Sequence, residues 1–175
     1  RHSKIFDLRS IPTDDPEIFD FISQGHTTGL FQLEGTGMTR YITEMKPREL
    51  AHVIAMIALY RPGPMRFIPE YIDCLHGKVK PTYQHPALEP IFKDTIGIPI
   101  YQEQIMQAAM QLAGYTPNDA DSLRKAIAKK IKKKLNAHEK KFIKGAQEHA
   151  NISRQDAALI FEDWKEFARY GFNKS

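Results

Sequence analysis

Apolar residues recur along this chain at intervals of three and four, the spacing of one face of an α-helix. Most runs end at a proline or a glycine, residues that commonly mark helix ends. The pattern predicts helices within the ranges 16–24, 38–46, 50–60, 68–76 and 101–113, and further helices after Thr116 and Ser153.

Capping residues mark the start of three predicted helices. Asp15 precedes Pro16 and Thr116 precedes Pro117, so an oxygen that accepts backbone N–H bonds stands before a proline that lacks an N–H. Ser153 repeats the device. We expect the first of these helices to bury Ile18, Phe19 and Ile22, and the last to bury Ala157, Ile160, Phe161, Trp164 and Phe167.

Prolines interrupt the helical pattern between residues 79 and 99. This stretch is expected to be a loop with one short helix near residues 88–92 and a brief extended piece at 98–100. The fold class is therefore mainly α: an irregular multi-helix domain with a proline-rich loop and at most a short β element. We predict a first helical part at 1–78, a connection at 79–100 and a second helical part at 101–175.

Composition narrows the class of protein. Hydrophobic residues make up 42% of the 175 residues, which is enough to build a packed core. Cys74 is the one cysteine, so an intrachain disulfide is excluded and a cytoplasmic location is expected. The longest strongly apolar run, 53–60, is too short to span a bilayer. The chain starts at Arg1 rather than methionine, and we expect it to be a piece of a longer protein.

Positive charge is concentrated in one segment, although the formal net charge is only +4. Residues 124–144 hold ten lysines and arginines against the single acid Glu139. Drawn as one continuous helix, the segment places Leu123, Ile127, Ile131 and Leu135 in an apolar stripe, and Lys125, Lys129, Lys132 and Lys133 on the opposite face. Lys134 falls inside the stripe, so either its side chain snorkels or the helix breaks there. Two interpretations stay open: a face that binds phosphates, and a lysine face exposed to solvent.

Candidate catalytic chemistry is weak within this chain. Phosphoryl transfer with two magnesium ions needs closely spaced carboxylates. The pairs Asp14–Asp15 and Asp119–Asp121 lie at predicted helix starts, where capping and the helix dipole explain them. The histidines lack metal-ligand spacing, and no phosphate-binding glycine loop is present. We therefore assign no catalytic residue and no metal site here.

Short blocks of this sequence form a specific series: TTGLFQLE at 27–34 followed by GM at 37–38, IALYRPGP at 57–64, HPALEP at 85–90, YQEQ at 101–104, AGY at 113–115 followed by ADSLRKAIAKK at 120–130, and YGFNKS at 170–175. In the same order, they resemble motifs of the bacterial DNA polymerase III alpha subunit family. The resemblance covers the chain from about residue 11 to its end.

This resemblance implies a part of a DNA-directed DNA polymerase, a nucleotidyltransferase. The stretch resembles the family's fingers domain, which binds the incoming dNTP and the template–primer DNA during replication. The palm aspartates that hold Mg²⁺ in the intact enzyme are expected upstream of Arg1, so the isolated fragment is expected to be inactive. Other replisome subunits are implied partners of the intact protein, and a membrane is not.

The resemblance also implies candidate binding residues. The family's basic motif commonly reads LRRAMGKK, and this chain has LRKAIAKK at 123–130. The cations that match it are Arg124, Lys125, Lys129 and Lys130, with Arg61 and Lys174 as secondary candidates. Lys125 replaces an arginine and so lacks the planar fork that binds phosphate through two bonds. Ala128 replaces a glycine, which is expected to stiffen the helix. For Arg61, capping of helix carbonyls is an open alternative.

A second class of function uses the same lysines. A helical module could bind nucleic acid or a partner protein without belonging to a catalytic cycle. A reading frame that extends upstream into an acidic, metal-binding palm would distinguish the polymerase from such a module.

Overall fold

The computed structural model describes residues 7, 10–167 and 170–174, and only the backbone of residues 166 and 167. This part of the chain is mainly α, as predicted, with an isolated parallel bridge between Tyr101 and Phe172. None of its helices is both long and apolar enough to cross a membrane. The described helices are α1 (Pro16–Ser23), α2 (Thr36–Met45), α3 (Leu50–Leu59), α4 (Ile68–Leu75), α5 (Glu89–Phe92), α6 (Gln102–Ala113), α7 (Pro117–Ala128), α8 (Lys132–Ala150) and α9 (Arg154–Phe167).

The chain divides into two compact units, Arg1–Ile57 and Ala58–Ser175, and the boundary falls within α3. In the first unit α1 packs against α2, each helix burying one apolar face. The buried side chains of these two helices are Phe19, Ile22, Met38, Ile42 and Met45. The three-part organisation at 1–78, 79–100 and 101–175 stays a prediction.

The start of α1 matches the sequence prediction, but one buried position does not. The Asp15 carboxylate accepts the Glu17 N–H at 3.0 Å, as expected of a capping residue. Ile18, in contrast, is 54% exposed, so the prediction that α1 buries it is wrong. Phe19 and Ile22 lie three residues apart and define the buried face, which leaves Ile18 to one side of it.

The core of the second unit lies where α6, α8 and α9 meet. The ring centroid of Phe142 on α8 lies 4.7 Å from that of Trp164 and 5.7 Å from that of Phe161, both on α9. Ala108 and Ala109 on α6 are fully buried against this cluster. The predicted buried face of α9 is confirmed at its described positions, whereas the side chain of Phe167 lies outside the described residues.

A buried glutamine ties the proline-rich connection to α6. Gln104 Nε2 donates to the Ile91 carbonyl at 3.2 Å and to Thr95 Oγ1 at 2.7 Å, while its Oε1 accepts the Tyr101 N–H at 2.9 Å. A buried amide is costly unless it is hydrogen-bonded, so these three bonds define where the connection packs.

The basic segment is two helices. Of the two alternatives left open for Lys134, the break is observed, but it lies before Lys132 rather than at Lys134. α7 ends at Ala128 and α8 begins at Lys132. Lys130 has a left-handed backbone (φ 53°), and the Ile131 N–H donates to the Ala126 carbonyl at 3.0 Å. This bond closes a Schellman motif, which ends a helix in the way a glycine usually does.

Packing between the two helices explains the break. α7 and α8 contact each other, so the chain must turn between them. The shared lysine face and the single apolar stripe drawn for one helix are therefore wrong. Leu123 and Ile127 are buried, whereas Ile131 and Leu135 are half-buried. Ala128 does not stiffen a longer helix, because α7 ends at this residue.

Gly145 lies where α8 approaches α6, and a side chain has no room there. An added Cβ would stand 2.9 Å from the Ala113 carbonyl carbon and 3.0 Å from its Cα. We expect Gly145→Ala to lower the free energy of unfolding by about 1 kcal/mol or more, because overpacking outweighs the gain in helix propensity. Urea denaturation measures the change. Gln147→Ala, at an exposed position of α8, is the matched control and is expected to be nearly neutral. Equal stability of the two variants would contradict this packing.

Candidate functional site

The segment 170–174 lies along the start of α6 and joins it through backbone hydrogen bonds. The Phe172 N–H donates to the Ile100 carbonyl at 2.9 Å, and the Gln102 N–H donates to the Phe172 carbonyl at 2.9 Å. These two bonds form the isolated parallel bridge. They bring the motif at 170–174 onto the motif at 101–104, about seventy residues earlier in the chain.

Lys174 is held at the same place by two contacts. Its N–H lies 3.2 Å from each carboxylate oxygen of Glu103, and its Nζ lies 4.8 Å from the ring centroid of Tyr101. The latter distance is that of a cation–π contact. Burial, aided by the nearby carboxylates of Asp94 and Glu103, raises the pKa of Tyr101 to about 12. The phenol therefore stays neutral beside the ammonium group at neutral pH.

Arg61 contacts backbone carbonyls rather than projecting freely into solvent. Its Nε and Nη2 donate to the Ala58 carbonyl at 2.8 and 2.7 Å, and Nη2 also donates to the Tyr170 carbonyl at 2.6 Å. The guanidinium carbon lies 5.0 Å from the ring centroid of Phe172. Capping of a helix carbonyl, the alternative that the sequence left open, is thus observed, and the same group also holds the segment 170–174.

Gly63 leaves room for the Tyr170 ring of this segment. Gly63 has φ +105°, and an added Cβ would lie 2.6 and 2.7 Å from two ring carbons of Tyr170. A glycine is therefore required at position 63 for two reasons: its backbone conformation and the close approach of the tyrosine ring.

Arg124 projects from α7 toward the start of α6. Its Nε and Nη2 both donate to Asp121 Oδ1, at 3.0 and 2.7 Å, and its Nη1 donates to Gln102 Oε1 at 3.2 Å. Its side chain is 32% exposed, so part of the guanidinium faces solvent. From the sequence, Gln102 in the YQEQ motif was open to two interpretations, contact with bases or sugars and solvation of a helix start, and its contact with Arg124 was not predicted.

Asp121 is the shared counterion of the first two candidate cations. Its Oδ1 accepts from Arg124, and its Oδ2 lies 2.6 Å from Lys125 Nζ. The hydrogen bonds from Lys125 and Arg124 lower the pKa of Asp121, which therefore stays ionised at neutral pH. One carboxylate thus offsets about half the charge of this pair.

The remaining cations lie on and after the turn between α7 and α8. Lys129 and Lys130 are exposed in the turn itself, and Lys132, Lys133 and Lys134 are exposed in the first turn of α8. Within the described ranges, none of these five forms an ion pair. Positive charge at a helix N-terminus opposes the helix dipole, so an anion at this place would relieve an unfavourable arrangement.

A set of polar contacts, buried at His138 and Tyr115, joins α7 and the residue before it to α8. His138 on α8 lies 3.2 Å from Ser122 Oγ on α7, and the Tyr115 hydroxyl donates to the His138 carbonyl at 2.9 Å. Asp119 and Lys141 form an ion pair of 2.6 Å, and this hydrogen-bonded pairing, with Thr116 as a further partner, lowers the pKa of Asp119 to about 2. The contacts pair early residues of α7 with later residues of α8, so the two helices run antiparallel.

Among residues 7, 10–167 and 170–174, no group of three or more histidine, cysteine, aspartate or glutamate side chains could hold a metal ion. Asp119 and Asp121 are instead engaged by Lys141 and by Arg124 with Lys125.

Comparison with known proteins identifies the family. Residues 1–150 match the model of the bacterial DNA polymerase III alpha subunit finger domain. This chain belongs to that family. The chain is 45% identical over 174 residues to the DNA polymerase III subunit alpha of Thermus aquaticus, covering 97% of this chain and 14% of the relative. The corresponding proteins of Aquifex aeolicus (41% identity, 100% of this chain, 15% of the relative) and of Staphylococcus aureus strain N315 (44%, 97% and 16%) are similar to it as well.

The match to the finger-domain model covers only part of the candidate site. The family model ends at residue 150, whereas the alignment with the Aquifex aeolicus protein covers the whole chain. The segment 170–174 therefore lies outside the matched model and yet packs on α6, inside it. The chain spans about one-seventh of the length of the curated relatives it matches.

Protonation of His138 is expected to destabilise this finger domain. Burial is the main cause that lowers its pKa below 6.5; Lys141 and Lys134 act in the same direction, and Asp119 opposes them. Between the lowered pKa and 6.5 the unfolded chain binds more protons than the folded one, so the stabilisation present above pH 6.5 is lost as the pH falls. We expect His138→Gln to reduce the drop in Tm on moving from about pH 7.5 to about pH 5.5.

Thermal unfolding of wild type and variant at both pH values measures this effect. His76→Gln, at an exposed histidine, is the matched control and should retain the wild-type dependence on pH. A His138→Gln variant with the full wild-type drop in Tm would show that another group is responsible.

Proposed function

We propose that this chain is part of the fingers region of a DNA-directed DNA polymerase, and that it binds the triphosphate of the incoming dNTP and the template–primer DNA during replication. Membership of the finger-domain family supports this role. The whole protein would act in the bacterial cytoplasm together with other replisome subunits. The isolated chain would be inactive, because catalytic carboxylates and Mg²⁺ would come from a palm elsewhere in the protein.

The geometry of Arg124 is the observation that carries the assignment. A guanidinium has five N–H groups, and Arg124 uses three of them on Asp121 and Gln102. One N–H therefore remains on each terminal nitrogen. Both are available to phosphate oxygens, and the planar guanidinium fixes their directions, which a lysine ammonium group does not.

The other cations are proposed to act as point charges around the Arg124 guanidinium. Lys125 shares Asp121 with Arg124, and Lys129 with Lys130 follows in the turn that begins where α7 ends. Lys129 and Lys130 are exposed and would contact triphosphate or DNA backbone oxygens. Arg61 and Lys174 are kept as secondary candidates, since both are already engaged by other groups.

In the intact polymerase, the primer 3′ hydroxyl would attack the α-phosphate of the nucleotide. These cations would orient the triphosphate and offset the charge that builds up on its oxygens. The contribution of this chain is thus electrostatic and positional.

Removing two of these cations together tests the proposal in the full-length polymerase. We expect Arg124→Ala with Lys129→Ala to lower kcat/KM for the dNTP by about tenfold or more, because a hydrogen bond to a charged group contributes about 1.5–3 kcal/mol. Steady-state primer extension at saturating DNA measures it.

Lys140→Ala is the control, because Lys140 is an exposed lysine of α8 that lies well beyond the turn. Its kinetics should match wild type. If the double variant also kept wild-type kinetics, Arg124 and Lys129 would be removed from the nucleotide site.

A further inference from the structure

Gln102 links two parts of the structure through the two ends of one amide group. Its Oε1 accepts from Arg124 Nη1 at 3.2 Å, and its Nε2 donates to the Gly171 carbonyl at 3.0 Å. Its backbone N–H also donates to the Phe172 carbonyl at 2.9 Å. The side chain therefore stands between the segment 170–174 and the proposed triphosphate-binding arginine.

Only one orientation of this amide satisfies both partners. Rotating it by half a turn would place its NH₂ group against an N–H of Arg124 and its oxygen against the Gly171 carbonyl. Both new contacts would be repulsive, so the Gly171 carbonyl fixes the oxygen of Gln102 toward Arg124.

The contact with Gln102 restricts Arg124 in a way that Asp121 alone does not. Both N–H groups directed at Asp121 converge on one oxygen, Oδ1, while Lys125 contacts the other, Oδ2. One shared oxygen is a pivot about which a guanidinium can swing. The bond from Nη1 to Gln102 supplies a second fixed point and so sets the direction of the two remaining N–H groups.

We propose that Gln102 is a positioning residue: anchored on the Gly171 carbonyl, it orients the Arg124 guanidinium for the triphosphate of the incoming nucleotide. This inference rests on the proposed function of Arg124. Gln102 does not itself touch the nucleotide. The oxygen and the nitrogen of its amide are already engaged by Arg124 and Gly171, so the role assigned to it acts through Arg124.

The side chain of Gln102 can be changed without removing what holds the segment 170–174. The bridge to Phe172 and the bond from Lys174 to Glu103 both use backbone N–H groups of the segment or of α6. Gln102→Met has a similar length and flexibility but neither donates nor accepts a strong hydrogen bond. It therefore removes the two amide contacts while the backbone bridge remains.

The test is a double-mutant cycle in the full-length polymerase, using Gln102→Met, Arg124→Ala and the combination. We expect Gln102→Met to raise KM for the dNTP by about fivefold, a change equivalent to about 1 kcal/mol of lost orientation, with kcat changed less than about twofold. In the Arg124→Ala background the same substitution should have no further effect, because its target is gone.

KM separates positioning from folding, because a reduced fraction of folded enzyme lowers the apparent kcat and leaves KM unchanged. Gln107→Met is the matched control: it makes the same substitution at an exposed position of α6 and should leave both constants at their wild-type values. A fivefold rise in KM in this control as well would overturn the inference.

The outcomes separate the positioning role of Gln102 from the proposed function of Arg124. If Arg124→Ala raises KM but Gln102→Met does not, or if their effects multiply independently, the positioning role is overturned and the proposed function stands. If Arg124→Ala itself leaves KM unchanged, the proposed function of Arg124 fails and the role of Gln102 fails with it.

Discussion

Two backbone hydrogen bonds hold the arrangement of the candidate site together. They join Phe172 to Ile100 and Gln102, and so lay the segment 170–174 along the start of α6. Arg61 then reaches the Tyr170 carbonyl, and the Gln102 amide reaches both Gly171 and Arg124. Because backbone bonds depend little on side-chain identity, this bridge fixes where the side chains meet, and the side chains in turn determine the charge that is presented.

Local signals in the sequence predicted much of the fold. Asp15 and Thr116 accept the N–H bonds expected of capping residues, since capping involves only residues close in the chain. The break after α7 was missed for the opposite reason. Lys130 adopts a backbone conformation that usually belongs to glycine, and packing of α8 against α7 imposes the turn. Helical periodicity alone contains no information about such tertiary contacts.

In the candidate site, too, local motifs could be predicted from the sequence, whereas contacts between distant residues could not. The basic motif directed attention to Arg124 because arginine in that pattern resembles a known family motif. The contacts of Gln102 could not be predicted, since its partners lie 22 and 69 residues away. Arg61 was ambiguous in the sequence, and its contacts with Ala58 and Tyr170 depend on where the segment 170–174 packs. The YQEQ motif was the one available sign that residue 102 mattered.

We propose above that Arg124 binds the triphosphate and that Gln102 holds the Arg124 guanidinium in place. A structure of the full-length polymerase with primer–template DNA and an incoming dNTP tests this most directly. We expect triphosphate oxygens at about 2.7–3.0 Å from both terminal nitrogens of Arg124, with the contact from Arg124 to Gln102 retained. Arg124 turned away from the nucleotide, or the triphosphate bound wholly by residues outside this chain, would contradict it.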